Sequence, residues 1–325
     1  MGSGVLVLSQ GPEIPDADPA AVPRTGPNVL SVGALCAPDE PSWVEDLALG
    51  LRGAGQDLRS FFRTQRFVSY HGDARTVLRE FPSGSVDCVV TSPPYFSLRR
   101  HLTGPGEIDH EATVEAYVER LAAVGRELLR VVKRSGSVWL ILGDTCRRKE
   151  WLGIPWRVAF AMGDVGWRLR NEVIWTKPPD AATAKDQLGS AHEQMFHFTR
   201  GMDAYYDMDA IRDHPASPRT KSGKGRAPTD VWFVPPEPTE FRDFAVVPEA
   251  LVERPILATC PRGGTVLDPF LGSGTTAAVA LQLGRSAVGI DFSSVSLRFS
   301  KKRVQRLLEL NPARKRPVRR PRGNR

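Results

Sequence analysis

The stretch Val266–Ala277, which reads VLDPFLGSGTTA, is the clearest indicator of the fold. A short apolar strand, a turn rich in glycine and the start of a helix follow one another there. Glycines let the backbone approach a ligand closely, and the first turn of a helix offers free N–H groups to an anionic group. Seventeen residues after Gly274, Asp291 ends the next expected strand, where a carboxylate can accept hydrogen bonds from both hydroxyls of a ribose. The stretch therefore predicts a nucleotide-type cofactor site.

The same stretch also matches a dinucleotide-binding pattern, GxGxxA in residues 272–277, with an acid further along. Taken alone, the pattern fits a nicotinamide oxidoreductase, or a glycine turn without any ligand. Two features favour a different cofactor. Asp268, followed by Pro269 and Phe270, places a carboxylate at the strand end, which suits a cationic amino group such as that of methionine. The rest of the chain offers no evident site for hydride transfer.

A second motif, TSPPY at residues 91–95, follows an expected buried strand, at the edge where α/β sheets place their ligands. The exocyclic amine of cytosine or adenine is a poor nucleophile, because its lone pair is delocalised into the ring. Acceptors aimed at its N–H bonds, here the Ser92 hydroxyl and the Pro93 carbonyl, free that lone pair to attack a sulfonium methyl group. Pro93 and Pro94 make the turn rigid, and Tyr95 offers a stacking face for an extruded base. The alternative is a Pro-Pro loop that only ends a strand.

Alternating strands and helices predict the architecture around both motifs. Strands are expected at 67–70, 85–90, 137–142, 167–176, 265–267 and 286–290, and helices at 111–133, 154–165, 248–259 and 293–309. Such alternation predicts an α/β doubly wound sheet. The pattern lapses between about 177 and 245. Within that region, residues 214–229 include no acids and four basic residues, and we interpret them as a flexible basic loop that contacts DNA through Arg219, Lys221, Lys224 and Arg226.

The two ends of the chain differ from its centre. Residues 1–41 carry seven prolines and are expected to be mostly disordered, whereas 42–65 could form a short amphipathic helix that includes Phe61 and Phe62. Residues 301–325 hold 11 of the 44 lysines and arginines and one acid, so they carry +10 while the rest carries −3. A tail of this charge suits a polyanion, although a solvated terminus without function is an alternative.

Composition narrows the class of protein. The 325 residues are 41% hydrophobic and 25% charged, which is ordinary for a globular protein. No apolar run approaches the ~20 residues of a membrane span, and no signal peptide is evident, so no membrane partner is expected. The four cysteines lie far apart without a CxxC pair, which argues for reduced thiols in a cytoplasm and against a metal site. His192 and His197 are interpreted as packing or hydrogen-bonding residues.

With these motifs in place, the chain resembles the DNA amino-methyltransferases of the permuted β class, in which the catalytic motif precedes the cofactor motif. The resemblance extends from about Val68 to Arg303. Further similar segments are HGD at 71–73, TSPPYFSL at 91–98, the strand 139–144, LGIPWRVAF at 152–160, GW at 166–167, IWTKP at 174–178, HE at 192–193 and DVW at 230–232. In the family, 152–160, 166–167 and 174–178 correspond to walls of the target-base pocket. The chain departs from the family in its long leader, in Asp243 where a histidine is frequent, and in Pro255.

The resemblance implies a mixed seven-stranded sheet of the Rossmann-like methyltransferase type, with an inserted target-recognition region. The implied segments are an N-terminal extension (1–65, partly disordered), a catalytic half (66–176), a target-recognition region with the basic loop (177–245), a cofactor-binding half (246–310) and a disordered basic tail (311–325). The implied cofactor is S-adenosyl-L-methionine. Its expected binding residues are Asp73, Asp268, Pro269, Phe270, Gly272, Ser273, Gly274, Thr275 and Asp291, and the expected catalytic residues are Ser92, Pro93, Pro94 and Tyr95.

The expected reaction is methylation of a flipped base in double-stranded DNA. Cytosine N4 is favoured over adenine N6, because in this family serine at the position of Ser92 accompanies cytosine more often. An RNA methyltransferase and a DNA-binding homologue without catalysis are the alternatives. The sequence leaves open whether a cognate restriction endonuclease accompanies the chain, and whether it acts as a monomer or a dimer.

Overall fold

The structure is a computed structural model of the chain, and it describes residues 60–97, 108, 110–178, 186, 188–213, 225–237 and 246–310. All of these lie within 41–325, the larger of the two units into which the chain divides. The basic-loop residues Arg219, Lys221 and Lys224, the tail 311–325 and the leader 1–59 lie outside the described residues. Within the described ranges, no helix is long and apolar enough to cross a membrane.

One large sheet forms the centre of this unit. Its strands are β1 (Ser60–Arg63), β2 (Phe67–His71), β3 (Val86–Thr91), β4 (Val132–Leu142), β7 (Arg168–Thr176), β8 (His192–Thr199), β9 (Val231–Phe233), β10 (Thr265–Asp268) and β11 (Ser286–Asp291). Their order in space is β1-β2-β11-β10-β3-β4-β8-β7-β9. The five neighbouring strands β2, β11, β10, β3 and β4 are parallel to one another. Strand β8 lies between β4 and β7 and is antiparallel to both. A separate hairpin consists of β5 (Cys146–Arg147) and β6 (Glu150–Trp151).

Six helices cover the two faces of the sheet in the described chain. They are α1 (Ala74–Arg79), α2 (Val114–Val131), α3 (Ile154–Val165), α4 (Glu249–Thr259), α5 (Thr275–Gln282) and α6 (Ser294–Leu310). The first three share one buried apolar cluster with sheet residues such as Leu140 and Leu142. The last three share a second cluster with Trp139 and Ile141. Successive residues of a strand point to opposite faces, so β4 serves both layers of the predicted doubly wound fold.

The expected seven strands are present as β2, β11, β10, β3, β4, β8 and β7, but the sheet has nine strands among the described residues. Two short edge strands account for the difference: β1 pairs antiparallel with β2, and β9 pairs parallel with β7. Segments of three or four residues carry too little periodicity to be recognised. Phe61 and Phe62 lie in β1, so the expected helix is wrong there.

Two further differences concern the connections. β4 begins at Val132, directly after the last residue of α2, where a break up to Gly136 was expected. The region 177–245, interpreted as irregular, contributes β8 to the interior of the sheet and β9 to its edge. Pairing of β8 between β4 and β7 buries Phe196 and Phe198, which supplies the apolar contacts that make this position stable.

Candidate active site

Parallel strands bring the functional segments to one edge of the sheet. β2, β11, β10 and β3 all run the same way, so their carboxyl ends lie together. From β10 the chain proceeds through α5 to β11 on one side, and from β3 through α2 to β4 on the other. The cleft between β10 and β3 is therefore the topological switch point, where doubly wound sheets bind ligands.

Asp268, the last residue of β10, is anchored at this switch point. Its Oδ1 accepts hydrogen bonds from the Thr91 hydroxyl at 2.6 Å and from the backbone N–H of Phe270 at 3.0 Å. Burial raises the pKa of Asp268 to about 6, although the bond from Thr91 works in the opposite direction. The carboxyl is thus held in a fixed position, and a cationic group of a ligand would stabilise its negative charge.

Asp291 occupies the equivalent position at the end of β11. It accepts the backbone N–H of Gly272 at 2.7 Å and that of Ser293 at 2.8 Å, one on each oxygen. Burial raises the pKa of Asp291 to about 7, and the charge of Asp268 contributes in the same direction. Each carboxylate oxygen has a further lone pair, so it can still accept a hydrogen bond from a hydroxyl group of a ligand.

The glycine turn has the backbone that the sequence predicts. Gly272 and Gly274 have φ of 53° and 83°, in the left-handed region that favours glycine. A Cβ on Gly274 would lie 2.8 Å from Cβ of Ser300, whereas a Cβ on Gly272 would meet only the carbonyl of Phe270, at 3.9 Å. Gly274 is therefore needed for packing against α6, and Gly272 leaves open space beside the cavity.

Asp73 stands on the far side of the same edge, where it caps α1. Its carboxylate accepts a hydrogen bond of 2.8 Å from the backbone N–H of Arg75. It also forms a bidentate ion pair with the guanidinium group of Arg75. Burial raises the pKa of Asp73, but hydrogen bonds from Arg75 and the charges of Arg75 and Arg120 outweigh it, so the pKa is lowered. Asp73 is ionised at neutral pH and lines the cavity.

The Ser-Pro-Pro-Tyr loop follows β3 directly and faces the glycine turn. The carbonyl of Pro94 accepts a hydrogen bond of 2.9 Å from Tyr117 on α2. Gly143 packs against Tyr95 so closely that a Cβ there would lie 2.6 Å from Cε2 of the ring. The close contact with Gly143 therefore restricts the position of the tyrosine ring, as a stacking surface requires.

Two residues outside the motif join this loop. The hydroxyl of Tyr95 donates to Oε2 of Glu193 at 2.5 Å, and the Ser92 hydroxyl donates to the Tyr95 oxygen at 3.4 Å. Lys177 donates to Oε1 of Glu193 at 2.7 Å, with both side chains largely buried. Burial, followed by the charge of Glu193, raises the pKa of Tyr95 well above its usual value, so the phenol remains a donor.

Glu193 and Lys177 were not identified as site residues from the sequence. Glu193 belongs to β8 and Lys177 follows β7, and the antiparallel pairing of these strands places their side chains together. The only signal was the family resemblance of the segments 174–178 and 192–193. His197 on β8 stacks on Trp139 with ring centroids 4.2 Å apart, so the interpretation of His197 as a packing residue is confirmed.

A cavity of about 390 Å³ connects these groups. Its lining includes all the expected catalytic residues and all the expected cofactor residues except Gly274: Asp73, Ser92, Pro93, Pro94, Tyr95, Asp268, Pro269, Phe270, Gly272, Ser273, Thr275 and Asp291. Lys177 and Glu193 line it as well. Arg226, the one described residue of the expected DNA contacts, is not among the lining residues and pairs with Asp213 through backbone bonds. The described part of the chain contains no group of three or more histidine, cysteine or acidic residues suited to a metal ion.

A doubly wound sheet with two buried carboxylates at its switch point is typical of nucleotide-binding enzymes of the α/β class. The chain belongs to the N6/N4 DNA methylase family, because the family model, described as DNA methylase, matches residues 86–302. The Type II methyltransferase M.SmaI of Serratia marcescens is 34% identical over 72% of this chain and 89% of its own length. The DNA adenine methyltransferase YhdJ of Escherichia coli is 28% identical over 72% of this chain and 81% of its own length. The protein is therefore a DNA methyltransferase.

Solved structures agree with this fold. The PvuII DNA methyltransferase, named as cytosine-N4-specific, has a TM-score of 0.64 at 19% identity and covers 78% of this chain and 94% of its own. The protein TTHA0409 of Thermus thermophilus, complexed with S-adenosyl-L-methionine, has a TM-score of 0.53 at 26% identity and covers 75% and 96%. The mixed sheet seen here is that of DNA methyltransferases.

Proposed function

We propose that the chain transfers a methyl group from S-adenosyl-L-methionine to the exocyclic N4 amine of cytosine in duplex DNA, with the base extruded into the cavity. One observation carries the proposal. Ser92 and Tyr95 line the same cavity as Asp268 and Asp291, although the two pairs belong to opposite parts of the chain. An enzyme that moves a methyl group between two bound molecules needs this arrangement, because the reacting atoms must be held about 3–3.5 Å apart.

The cofactor half of the cavity suits S-adenosyl-L-methionine. Asp268 and Asp291 are both buried carboxyls with raised pKa, and a cationic ligand relieves the unfavourable burial of their charge. Asp268 would hold the amino group, Asp291 the ribose hydroxyls, and Asp73 the adenine side. The open backbone at Gly272 leaves room for the ligand at the glycine turn. When bound, S-adenosyl-L-methionine supplies an electrophilic methyl group on a sulfonium.

The other half of the cavity suits the target base. The Ser92 hydroxyl and the Pro93 carbonyl would accept the two hydrogens of the amine, so that its lone pair is freed from the ring. The Tyr95 ring would stack on the extruded base and offset part of the few kcal/mol that unstacking requires. No enzyme nucleophile is needed: the amine nitrogen would form the new N–C bond as the C–S bond breaks, S-adenosyl-L-homocysteine would leave, and one proton of the amine would pass to solvent.

The Glu193–Lys177 pair favours cytosine over adenine. Beside its amine, cytosine presents two acceptors, N3 and O2, whereas adenine presents N1 followed by a C–H group. Lys177 lines the cavity and has three N–H donors, of which its bond to Glu193 uses one. A cationic donor therefore has a carbonyl partner in cytosine that adenine lacks. The serine at position 92 supports the same choice through the family resemblance.

The further segments have corresponding roles in this proposal. Residues 66–176 carry the base-activating loop, 246–310 the cofactor site, and 177–245 the reading of DNA sequence. The basic residues Arg219, Lys221, Lys224 and Arg226 would contact phosphates, together with the tail 311–325. The chain 1–65 lies outside the catalytic scheme.

The test is to identify the methylated nucleoside. Plasmid DNA treated with the protein and S-adenosyl-L-methionine is digested to nucleosides and analysed by mass spectrometry. We expect N4-methyl-2′-deoxycytidine, formed by the parent chain and absent with Asp291→Ala. A second arm uses single-stranded RNA of matched sequence, where we expect turnover at least tenfold lower. Equal turnover on RNA would contradict DNA as the preferred substrate.

Adenine N6 methylation is the second candidate, because the adenine methyltransferase YhdJ is similar over 72% of this chain. The same digestion distinguishes the two activities, since N6-methyl-2′-deoxyadenosine differs in mass from the cytosine product. Appearance of the adenine product alone would overturn the choice of cytosine while leaving the cofactor site and the loop roles intact.

A further inference from the structure

The hairpin of β5 and β6 concentrates basic and aromatic groups on the surface. It runs from Cys146 to Trp151, and every residue in it is exposed. Arg147, Arg148 and Lys149 are consecutive, and Trp151 is 51% exposed. Two acidic residues lie nearby: Glu150 is opposite Arg147 in the backbone register of the hairpin, and the side chain of Asp186 forms an ion pair with Lys149. The hairpin therefore carries three basic residues and one acidic residue, and one further acidic residue outside the hairpin pairs with it.

This hairpin is attached to the catalytic loop. The hydroxyl of Thr145 donates to the carbonyl of Phe96 at 3.2 Å, immediately after the Ser-Pro-Pro-Tyr segment. The base of the hairpin is closed by a bond of 3.1 Å from the N–H of Leu152 to the carbonyl of Thr145. Two residues earlier, Gly143 lies against the Tyr95 ring. With ~3.3 Å of rise per strand residue, the hairpin tip lies within roughly 10 Å of this anchor.

The backbone at the tip is unusual for the residues that occupy it. Arg148 and Lys149 have φ of 52° and 69°, and in the described chain only Ser97 shares a positive φ among residues other than glycine. A two-residue turn with two positive φ angles is normally made by Asn-Gly, because side chains with a Cβ are strained there. Two long cations in these positions are disfavoured for folding. Strain of this kind is typical of functional sites.

We propose that this hairpin binds the DNA backbone, with Arg147 and Arg148 contacting phosphates that flank the extruded nucleotide. This inference depends on one part of the proposed function, namely that the target base is extruded into the cavity. An extruded base stays joined to its strand, so its flanking phosphates would remain near the loop that lines the cavity, and the hairpin is bonded to that loop at Phe96. Arginine suits phosphate oxygens through paired N–H donors, and the exposed Trp151 supplies a flat face for a sugar or base.

The test is the salt dependence of binding. Fluorescence anisotropy gives the Kd for a labelled duplex across a series of salt concentrations, with the full-length protein and S-adenosyl-L-homocysteine present. Each lost phosphate contact lowers the slope of log K against log salt by about 0.9, so we expect a decrease of about 1.8 for Arg147→Ala with Arg148→Ala. The matched control is Arg134→Ala, an exposed arginine near the amino end of β4, at the opposite edge of the sheet. Arg134→Ala should keep the parent slope.

A second variant separates binding from folding. Arg148→Asn with Lys149→Gly places the favoured Asn-Gly pair in the turn, so we expect a thermal midpoint equal to or above that of the parent. The same variant should lose about 0.9 or more of the salt slope although it folds at least as well as the parent. A parent-like slope in both variants, with the cytosine product still formed, would overturn the hairpin's role. A reduced slope without the cytosine product would instead contradict the proposed function and support the hairpin's role.

Discussion

The side chains of Thr91 and Asp268 lie 177 positions apart in the sequence and are joined by a hydrogen bond of 2.6 Å. They end the neighbouring parallel strands β3 and β10, on either side of the switch point. The bond links the strand that precedes the Ser-Pro-Pro-Tyr loop to the strand that precedes the glycine turn. It therefore fixes the relative position of the two parts of the cavity.

Replacement of Thr91 by valine tests this link. Valine has nearly the same shape but no donor, so Asp268 keeps the bond from Phe270 and loses the bond from residue 91. We expect the free energy of unfolding to fall by about 1–3 kcal/mol. The affinity for S-adenosyl-L-methionine should fall as well, because the carboxylate is less firmly positioned. Urea denaturation and calorimetric titration measure the two effects. Thr91→Ser keeps the hydroxyl and should resemble the parent; identical behaviour of the valine and serine variants would contradict the role of the bond.

Much of the fold could be predicted from local sequence. The bounds of α3 agree with the prediction, and α4, β10 and β11 agree to within a residue, because apolar periodicity and flanking glycines mark them. The position of β8 inside the sheet could not be predicted, since strand pairing depends on residues far apart in the chain. The hairpin of β5 and β6 was missed because its turn, Arg148 and Lys149, lacks the glycine or asparagine that usually marks one.

The site shows the same division. Asp268, Asp291 and the residues 92–95 could be identified because each stands in a compact motif after a strand. Glu193 could not, because its role depends on a bond to Tyr95, which is 98 positions away. A lone glutamate on a strand gives no sign of such a partner in the sequence.

The raised pKa values of Asp268 and Asp291 predict opposite effects of pH on folding and on binding. In the folded protein, Asp268 keeps its proton up to a pH of about 6 and Asp291 up to a pH of about 7, in line with their raised pKa values. In the unfolded chain both carboxyls have already lost their protons at these pH values. The folded state then binds more protons, so the contribution of these groups to stability falls as pH rises between about 4 and about 7. Cofactor binding should instead strengthen over the same range, because a cationic amino group requires the ionised form.

Thermal denaturation and titration with S-adenosyl-L-methionine, from about pH 5 to about pH 8, measure both trends across the two pKa values. Asp291→Asn should remove most of the trend in stability near neutral pH. Asp73 provides a control of opposite sign, since its lowered pKa contributes stability that is lost only in stronger acid. Cofactor affinity that does not change with pH would contradict the ionisation scheme.

Gly143 is predicted to be essential for catalysis though it carries no functional group. Gly143→Ala places a Cβ 2.6 Å from the Tyr95 ring, so the ring must move. We expect kcat to fall at least tenfold while S-adenosyl-L-methionine affinity is retained. The control is Gly163→Ala, on an exposed position of α3 where a Cβ meets nothing within 4 Å. That change should stabilise the helix by up to about 1 kcal/mol and leave kcat unchanged. Parent-like kcat in Gly143→Ala would show that the ring position is unimportant.

The two parts of Tyr95 can be separated. Tyr95→Phe keeps the ring but loses the bond to Glu193, so we expect a modest loss of kcat. Tyr95→Ala also loses the stacking face, worth about 1–3 kcal/mol per base, which corresponds to about 5- to 150-fold in kcat/KM for DNA. Steady-state kinetics on a duplex substrate, with 2-aminopurine fluorescence reporting extrusion, measures the difference. Equal losses in the two variants would assign the effect to the hydroxyl and not to stacking.

Lys177 is predicted to select the base through its ammonium group. Lys177→Met removes the donor proposed for O2 of cytosine, and a lost hydrogen bond to a charged group of about 1.5–3 kcal/mol lowers kcat/KM by about 10- to 150-fold. The same change leaves the Glu193 carboxylate without its cation, which lowers stability. Combining Lys177→Met with Glu193→Gln removes that unpaired charge, so the thermal midpoint should recover while kcat/KM on cytosine does not. Recovery of activity together with stability would show that the pair only supports the fold, and that cytosine is recognised elsewhere in the cavity.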